Sequence, residues 1–205
     1  DVMQYGGNKV TGSWTSWQVT ISASPMNIAA SGGSSTITCS AVRTRNYTWN
    51  GVGTTHTDTE TATPTLSGSA GGFTLSGKTV TASNNTTTNS RSITITATSN
   101  SVSKSITITQ SAGAKVYGNW SSWTVSCSAS SYKVWAGGDS VTIYSSASRN
   151  RTWTWNGVAG SGGTESDSAT PTISVTSGVG VLSGNTLTFS NNTSPDARTT
   201  RVTAK

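Results

Sequence analysis

The sequence predicts an all-β protein made of two repeats, each folded as a small β-sandwich. The 205 residues include 76 Ser and Thr but only 4 Leu and 2 Glu, and strands tolerate Thr whereas helices are built mainly from Ala, Leu, Glu, Lys and Gln. The 8 Trp, 5 Tyr and 2 Phe supply large apolar side chains that disordered segments lack. An internal repeat of about 106 residues divides the chain into two units.

A shift of 106 residues superposes the first part of the chain on the second, and one inserted residue later raises the shift to 107. The matched pairs are residues 12–19 with 118–125, 49–52 with 155–158, 62–65 with 169–172, 83–86 with 190–193, and Arg91 with Arg198. This period is longer than that of solenoid repeats and fits one sandwich per unit. The repeat therefore predicts a first domain at residues 1–112 and a second at residues 113–205.

Seven short alternating segments, separated by Gly, Asn, Ser and Pro, predict the strands of the first domain: residues 18–22, 35–42, 46–49, 72–75, 79–83, 92–98 and 102–110. About seven strands in a domain of this size predict an immunoglobulin-like sandwich. Alternation then assigns these side chains to the core: Val19, Ile21, Ile37, Cys39, Trp49, Val80, Ile93, Ile95, Ile106 and Ile108. We expect Cys39 and Cys127 to be unpaired, buried small side chains, because both share the parity of apolar neighbours.

The cysteine and tryptophan spacing in the first domain resembles that of immunoglobulin domains. Cys39 is followed ten residues later by Trp49, like the strand B cysteine and strand C tryptophan of that family, although a second cysteine is absent. Residues 91–96 and 104–112, with Thr-Gln-Ser-Ala at the end, resemble the closing hairpin of BACON domains, which are common in gut Bacteroidetes. The middle of each unit departs from that pattern, so a neighbouring bacterial immunoglobulin-like family is equally compatible.

This resemblance implies a non-enzymatic role. Such modules occur in surface lipoproteins, adhesins, accessory domains of glycoside hydrolases and structural proteins of gut phages. It implies an extracellular, cell-surface or virion location, and glycans or a host-surface or virion protein as partners. No cofactor is expected.

The two ends of the chain extend the repeat. Residues 3–10 align with residues 109–116, so residues 1–6 resemble the tail of a preceding closing strand. Lys205 is equivalent to Thr98, so the second domain is expected to lack its last strand, the counterpart of residues 99–110. Either the chain is part of a longer array, or a neighbouring chain donates the strand, as in bacterial pili.

Few residues are suited to catalysis. The one histidine, His56, has Asp58 and Glu60 as its local carboxylates, whereas residues 164–167 of the second domain contain no histidine. We interpret this segment as a solvated loop and expect neither a metal site nor a catalytic residue. Glu60 and Glu165 lie in different repeats, which argues against a glycosidase carboxylate pair.

Charge and hydropathy exclude two further classes of partner. The net charge is +6, but basic residues are scattered rather than gathered in a stripe, so nucleic-acid binding is not expected. No window approaches the ~18 to 20 apolar residues of a membrane span.

Aromatic and basic residues alternate at matching places in both repeats and predict a structural cation–π ladder similar to those of thrombospondin repeats and cytokine receptors. Its predicted members are Trp17, Arg43, Arg45 and Trp49 in the first repeat and Trp123, Arg149, Arg151 and Trp155 in the second. The alternative is carbohydrate binding, for which the candidates for exposed rings are Trp14, Trp120, Tyr132 and Trp135. Because Tyr132 and Trp135 replace Met26 and Ala29, only the second domain would have that platform.

Overall fold

A computed structural model describes residues 2–205 and is all-β, with no helix in that range. The strands in chain order are β1 (Lys9–Thr11), β2 (Gln18–Ser24), β3 (Asn27–Ile28), β4 (Gly33–Trp49), β5 (Val52–Ala62), β6 (Thr65–Ser67), β7 (Phe73–Ser76), β8 (Thr79–Ala82), β9 (Arg91–Ser99), β10 (Val102–Gln110), β11 (Lys115–Tyr117), β12 (Thr124–Ala129), β13 (Asp139–Trp155), β14 (Gly163–Ala169), β15 (Ile173–Ser177), β16 (Val181–Ser183), β17 (Thr186–Phe189) and β18 (Arg201–Ala204). The prediction of an all-β chain is confirmed.

The chain forms two compact units. Unit 1 comprises Asp1–Val116 and Trp155–Ser161, and unit 2 comprises Tyr117–Thr154 and Gly162–Lys205.

Unit 1 has two sheets that enclose an apolar core. One sheet has the order β1-β4-β8-β7, with β2 and β5 also paired to β4, and the other has the order β3-β10-β9-β6. Period-two burial along β9 and β10 turns Ile and Ala inward and leaves Thr and Ser outward, as expected of sheets with one face on a core. The buried core consists of Trp17, Val19, Ile21, Ile28, Ile37, Cys39, Ala41, Val80, Ala82, Ile93, Ile95, Ala97 and Ile108.

Most of the predicted inward faces of unit 1 are confirmed by burial. Ile106 is only partly buried, although it packs against the core. Trp49 was expected in the core and this is wrong, because its side chain is 48% exposed. The reason is that β4 runs on as one strand of 17 residues, so Trp49 lies at the far end of the strand that carries Cys39, beyond the core.

The segment around His56 is a strand rather than a solvated loop. Residues 52–62 form β5, which pairs with β4 in the register Arg43↔Glu60 and Arg45↔Asp58. The equivalent residues 163–169 form β14 on β13. Both strands lack an apolar periodicity because the side chains that hold them in place are charged.

Unit 2 has the same pairings in its larger sheet but a much smaller core. β11, β13, β17 and β16 follow one another, β12 and β14 pair with β13, and β15 and β18 form a separate two-stranded sheet. In the described part of the chain, the buried residues of this core are Val141, Ile143 and Leu187.

The inner face of β12 is open to solvent. Trp123 and Val125 are 41% and 43% exposed, whereas their equivalents Trp17 and Val19 are 8% and 7% exposed. Cys127 is also exposed, which overturns its predicted burial, while Cys39 is buried and neither thiol is paired. In unit 1 the corresponding face of β2 packs against β10, and residues 2–205 provide no such strand for unit 2.

Candidate functional site

A ladder of alternating arginines and tryptophans lies on the outer part of β4 in unit 1. Arg43 and Arg45 are two positions apart and therefore project from the same face of the strand. The Arg43 guanidinium carbon lies 4.8 Å from the ring centres of both Trp14 and Trp17. The Arg45 guanidinium carbon lies 4.6 Å from the ring centre of Trp14. Each guanidinium is within the ~6 Å range of a cation–π contact.

Carboxylates of β5 hold the two arginines in place. Arg43 Nη2 lies 2.6 Å from Glu60 Oε2, and Arg45 Nε donates to Asp58 Oδ2 at 3.0 Å. The register of the hairpin sets these pairs, since each arginine is directly opposite its carboxylate. The arginine planes are thereby oriented for stacking.

Asp58 is the junction between the ladder and the N-terminal strand β1. Lys9 Nζ donates to Asp58 Oδ1 at 2.7 Å and lies 3.8 Å from the ring centre of Tyr47. The hydrogen bond from Lys9, opposed by partial desolvation and assisted by Arg45, lowers the pKa of Asp58 from 3.8. The His56 ring stacks on the ring of Tyr47, and the two ring centres are 5.1 Å apart.

Unit 2 carries a second ladder with one more ring. Arg149 lies 4.7 Å from Trp120 and 4.4 Å from Trp123, and Arg151 lies 4.5 Å from Trp120. Arg151 is also 3.9 Å from Tyr117, which the sequence reasoning missed. The signal was present, because Tyr117, Trp120 and Trp123 follow one another at intervals of three residues.

The carboxylates of the second ladder are supplied by β14. Arg149 Nη2 donates to Asp167 Oδ2 at 2.8 Å, and Arg151 Nε donates to Glu165 Oε2 at 2.7 Å. Asp and Glu have exchanged positions relative to unit 1, yet the cross-strand pairing is the same. Each arginine of the second ladder therefore also pairs with a carboxylate on the neighbouring strand.

Several predicted site residues have other surroundings in the structure than the sequence predicts. Trp14 and Trp120, proposed as exposed platforms, are partly buried and lie between arginines. Trp49, proposed for the ladder, instead makes an edge contact with Tyr47 at 6.1 Å. Trp155 ends β13, where its backbone N–H donates to Ser161 Oγ. Within residues 2–205, no three His, Cys, Asp or Glu side chains are grouped as metal ligands.

Tyr132 and Trp135 are the strongly exposed aromatic side chains of unit 2. They lie in the connection between β12 and β13, and they are 81% and 86% exposed. This agrees with the sequence expectation of exposed rings at these two positions. The connection borders a groove of about 830 Å³.

The groove is lined by residues 131–136 and by residues 195–200 with Val202. Val141, Ile143 and Leu187, the buried core of unit 2, also line it, as does Cys127. Two further lining residues are joined by a hydrogen bond, in which Arg198 Nη2 donates to the Ser190 carbonyl at 3.0 Å. The lining thus combines apolar and polar groups.

No family model, no curated protein and no solved structure matches the chain. Residues 2–205 contain no helix that is long and apolar enough to cross a membrane.

Proposed function

We propose that the chain is a non-enzymatic structural or adhesion segment of an extracellular assembly, either a bacterial surface protein or a phage particle. In this proposal it is made of two tandem immunoglobulin-like sandwiches. The strand order supports that fold: β2-β4-β8-β7 and β3-β10-β9-β6 follow the A-B-E-D and A′-G-F-C orders of immunoglobulin sheets. β9 and β10 pair as an antiparallel hairpin, which is compatible with the closing hairpin that the BACON resemblance implies.

The observation that carries the proposal is the parallel pairing of β3 with β10. β3 lies near the start of unit 1 and β10 near its end, and their register is Thr109↔Asn27 and Gln110↔Ile28. Two further backbone bonds fasten the pair, from Thr109 N to Met26 O and from Ser111 N to Ile28 O, both 3.0 Å. Force applied along the chain pulls parallel strands in opposite directions, so these bonds break together. Such an arrangement suits a segment that transmits load.

Single-molecule pulling of the full chain tests this role. We expect the parallel pair, which has no counterpart in unit 2 within residues 2–205, to give unit 1 a higher unfolding force than unit 2. The variant Arg43→Ala should lower the force of unit 1 and leave that of unit 2 unchanged, with Lys78→Ala as a control that removes an equal charge from an exposed turn. Equal forces for the two units, or no effect of Arg43→Ala, would contradict a load-bearing role.

A second candidate is carbohydrate recognition by unit 2, favoured by the exposure of Tyr132 and Trp135. Exposed rings next to hydroxyl and amide side chains suit the stacking of sugar faces, and Ser131 and Asn192 line the same groove. Binding to a glycan array that disappears in Trp135→Ala and persists in Trp49→Ala would favour this candidate. An array without any bound glycan would leave the structural role as the proposal.

A further inference from the structure

One long side of β5 has no strand partner. Residues 56–62 pair with β4 in an unbroken register, and within residues 2–205 β5 pairs with no other strand. The equivalent residues 163–169 of β14 pair in the same way with β13 alone. We call the unpaired sides of these two segments the open edges. The outward backbone N–H and C=O groups of such an edge can bind another strand.

The open edges lie in the interior of the sequence. β5 is followed by the other strands of unit 1 and by the whole second repeat, and β14 is preceded by the whole first repeat. Each edge is nevertheless unpaired within residues 2–205. The open edge is therefore a feature of the repeat itself.

Acidic side chains are concentrated along the open edges. Four of the seven Asp and Glu residues of the chain, Asp58, Glu60, Glu165 and Asp167, lie at alternate positions of these two segments. Alternate residues project from one face of a strand. Each edge therefore carries two carboxylates side by side, on the face where the arginines of the ladder bind them.

Glu60 and Asp167, which are equivalent in the two repeats, each bind their arginine through a single oxygen. Nε and Nη2 of Arg43 lie 2.7 Å and 2.6 Å from Glu60 Oε2, and Nε and Nη2 of Arg149 lie 3.0 Å and 2.8 Å from Asp167 Oδ2. Glu60 Oε1 and Asp167 Oδ1 take no part in these bonds. The two side chains are 44% and 39% exposed, so a second cation can reach them.

Asp58 shows that a carboxylate of β5 accepts a cation on each oxygen. Its Oδ2 accepts from Arg45 Nε at 3.0 Å, and its Oδ1 accepts from Lys9 Nζ at 2.7 Å. A basic side chain on a strand added outside β5 would complete Glu60 in the same way, because residues directly opposite one another on paired strands are within reach.

Charge disfavours a second copy of this chain as the added strand. If residues 56–62 of two copies paired antiparallel over their full length, Asp58 would lie opposite Glu60 of the other copy. The same pairing of two β14 strands would place Glu165 opposite Asp167. Like charges directly opposite one another destabilise a strand pair. A strand with basic residues at those two positions is complementary instead.

We propose that each open edge binds an extended segment of a partner protein as an added β-strand, and that this segment carries two basic residues at alternate positions, opposite the two carboxylates. Backbone hydrogen bonds hold the segment, and the ion pairs select it. One segment fits both edges, because the carboxylates have the same spacing in the two repeats. This goes beyond the proposed structural role, because it names the chemistry of a partner and the place where it binds.

NMR titration of the isotope-labelled full chain with a synthetic peptide tests the proposal. The probe is the capped peptide Thr-Thr-Lys-Thr-Lys-Thr-Thr, whose lysines lie on one face of a strand. The control is Thr-Thr-Lys-Lys-Thr-Thr-Thr, whose lysines lie on opposite faces. We expect the probe to slow hydrogen exchange of amides in residues 56–62 and 163–169. It should bind about threefold more tightly than the control, which loses one exposed ion pair.

Methylation of the peptide backbone separates strand pairing from charge and leaves the protein unchanged. In a strand bound to an edge, alternate N–H groups face the protein and the others face solvent. Two further probes are therefore N-methylated, one at both lysines and the other at the threonines that flank them. We expect one of the two to bind and the other to fail.

The double variant Glu60→Gln with Asp167→Asn removes one charge from each open edge and keeps an oxygen acceptor for the arginines. We expect it to bind the probe about threefold more weakly at each edge. The matched control, Asp139→Asn with Asp196→Asn, removes two charges from exposed positions outside the open edges. It should bind the probe as the unchanged chain does.

Three results would overturn the proposal. The first is the absence of binding of the alternating peptide to the full chain. The second is equal binding of the alternating peptide and its control, or the same behaviour of the two methylated probes, because charge alone would then hold the peptide. The third is a double variant at Glu60 and Asp167 that binds the probe as tightly as the control variant does.

Discussion

At the scale of single residues, the two ladders depend on planar guanidinium groups held between rings. Arg43 contacts two tryptophans and one carboxylate, and so does Arg149. A lysine cannot reproduce this arrangement, because its ammonium group has no face to stack. The ladder therefore stabilises the extension of β4 and β13 beyond the cores, where no apolar layer covers the sheet.

Arg45→Ala and Arg151→Ala should each lower thermal stability. Each arginine contributes a cation–π contact of ~0.5–1 kcal/mol and a partly exposed ion pair of ~0.2–1 kcal/mol, so we expect losses of about 1 kcal/mol for the unit concerned. Thermal unfolding followed by tryptophan fluorescence measures the change, with Lys78→Ala as control. Unchanged melting in both variants would refute the ladder as a stabilising element.

The pH dependence of unit 1 should include a contribution from Asp58. Because the pKa of Asp58 in the folded chain lies below 3.8, its carboxylate stabilises the fold above that pH. The contribution is lost as the pH falls through the folded-state value. An NMR titration should show the pKa of Asp58 rising towards 3.8 in Lys9→Met and not in Lys78→Met. An unaltered titration in Lys9→Met would show that Lys9 is not the main cause.

At the scale of elements, the sequence predicts strands wherever apolar residues alternate, and it fails where charge replaces them. β9 and β10 are found within one residue of their predicted bounds. β5 was missed because Thr, His, Asp and Glu alternate there without an apolar face, and its register depends on arginines of the neighbouring strand. Cys127 was assigned to a core from parity alone, and parity does not reveal whether another strand covers that face.

The end of β10 is where unit 1 should be most sensitive to a single polar substitution. Gln110→Ala removes the hydrogen bond from Arg91 Nε and the bonds to the carbonyls of Ala29, Ala30 and Ser83, and each of these groups keeps one other bond. We expect a loss of about 2 kcal/mol in the free energy of unfolding, since a typical hydrogen bond contributes ~0.5–1.5 kcal/mol and several are lost. Urea denaturation measures it.

The control for Gln110→Ala is Thr107→Ala in the same strand, an exposed position whose hydroxyl lies 3.4 Å from that of Thr94. If both variants lost the same small amount of stability, the buried glutamine would not be the closing contact.

At the scale of the whole molecule, the two units share one pairing pattern but differ in how far each is closed. Unit 1 has thirteen buried residues in its core and unit 2 has three, counted within residues 2–205. The difference lies in β10, which pairs with β9 and β3 in unit 1, whereas within residues 2–205 no strand of unit 2 takes its place. The repeat predicts the shared pairings, because the strands recur in sequence, but alternation alone does not show how deeply each face is buried.

Heating should therefore unfold the chain in two steps, with unit 2 first. Apolar burial stabilises a fold by about 25 cal/mol per Å², and unit 2 buries far fewer apolar side chains. Differential scanning calorimetry should resolve two transitions, of which the lower belongs to unit 2. A single transition for the whole chain would contradict this difference in stability.

Strand-resolved hydrogen exchange of the full chain at low concentration tests the central claim most directly, namely that one unit is closed and the other is open. Amides of β9 and β2 in unit 1 should exchange slowly, because β10 covers or pairs with them. Their equivalents in β18 and β12 of unit 2 should exchange much faster. Equal protection of β18 and β9 in the monomeric chain would contradict the account.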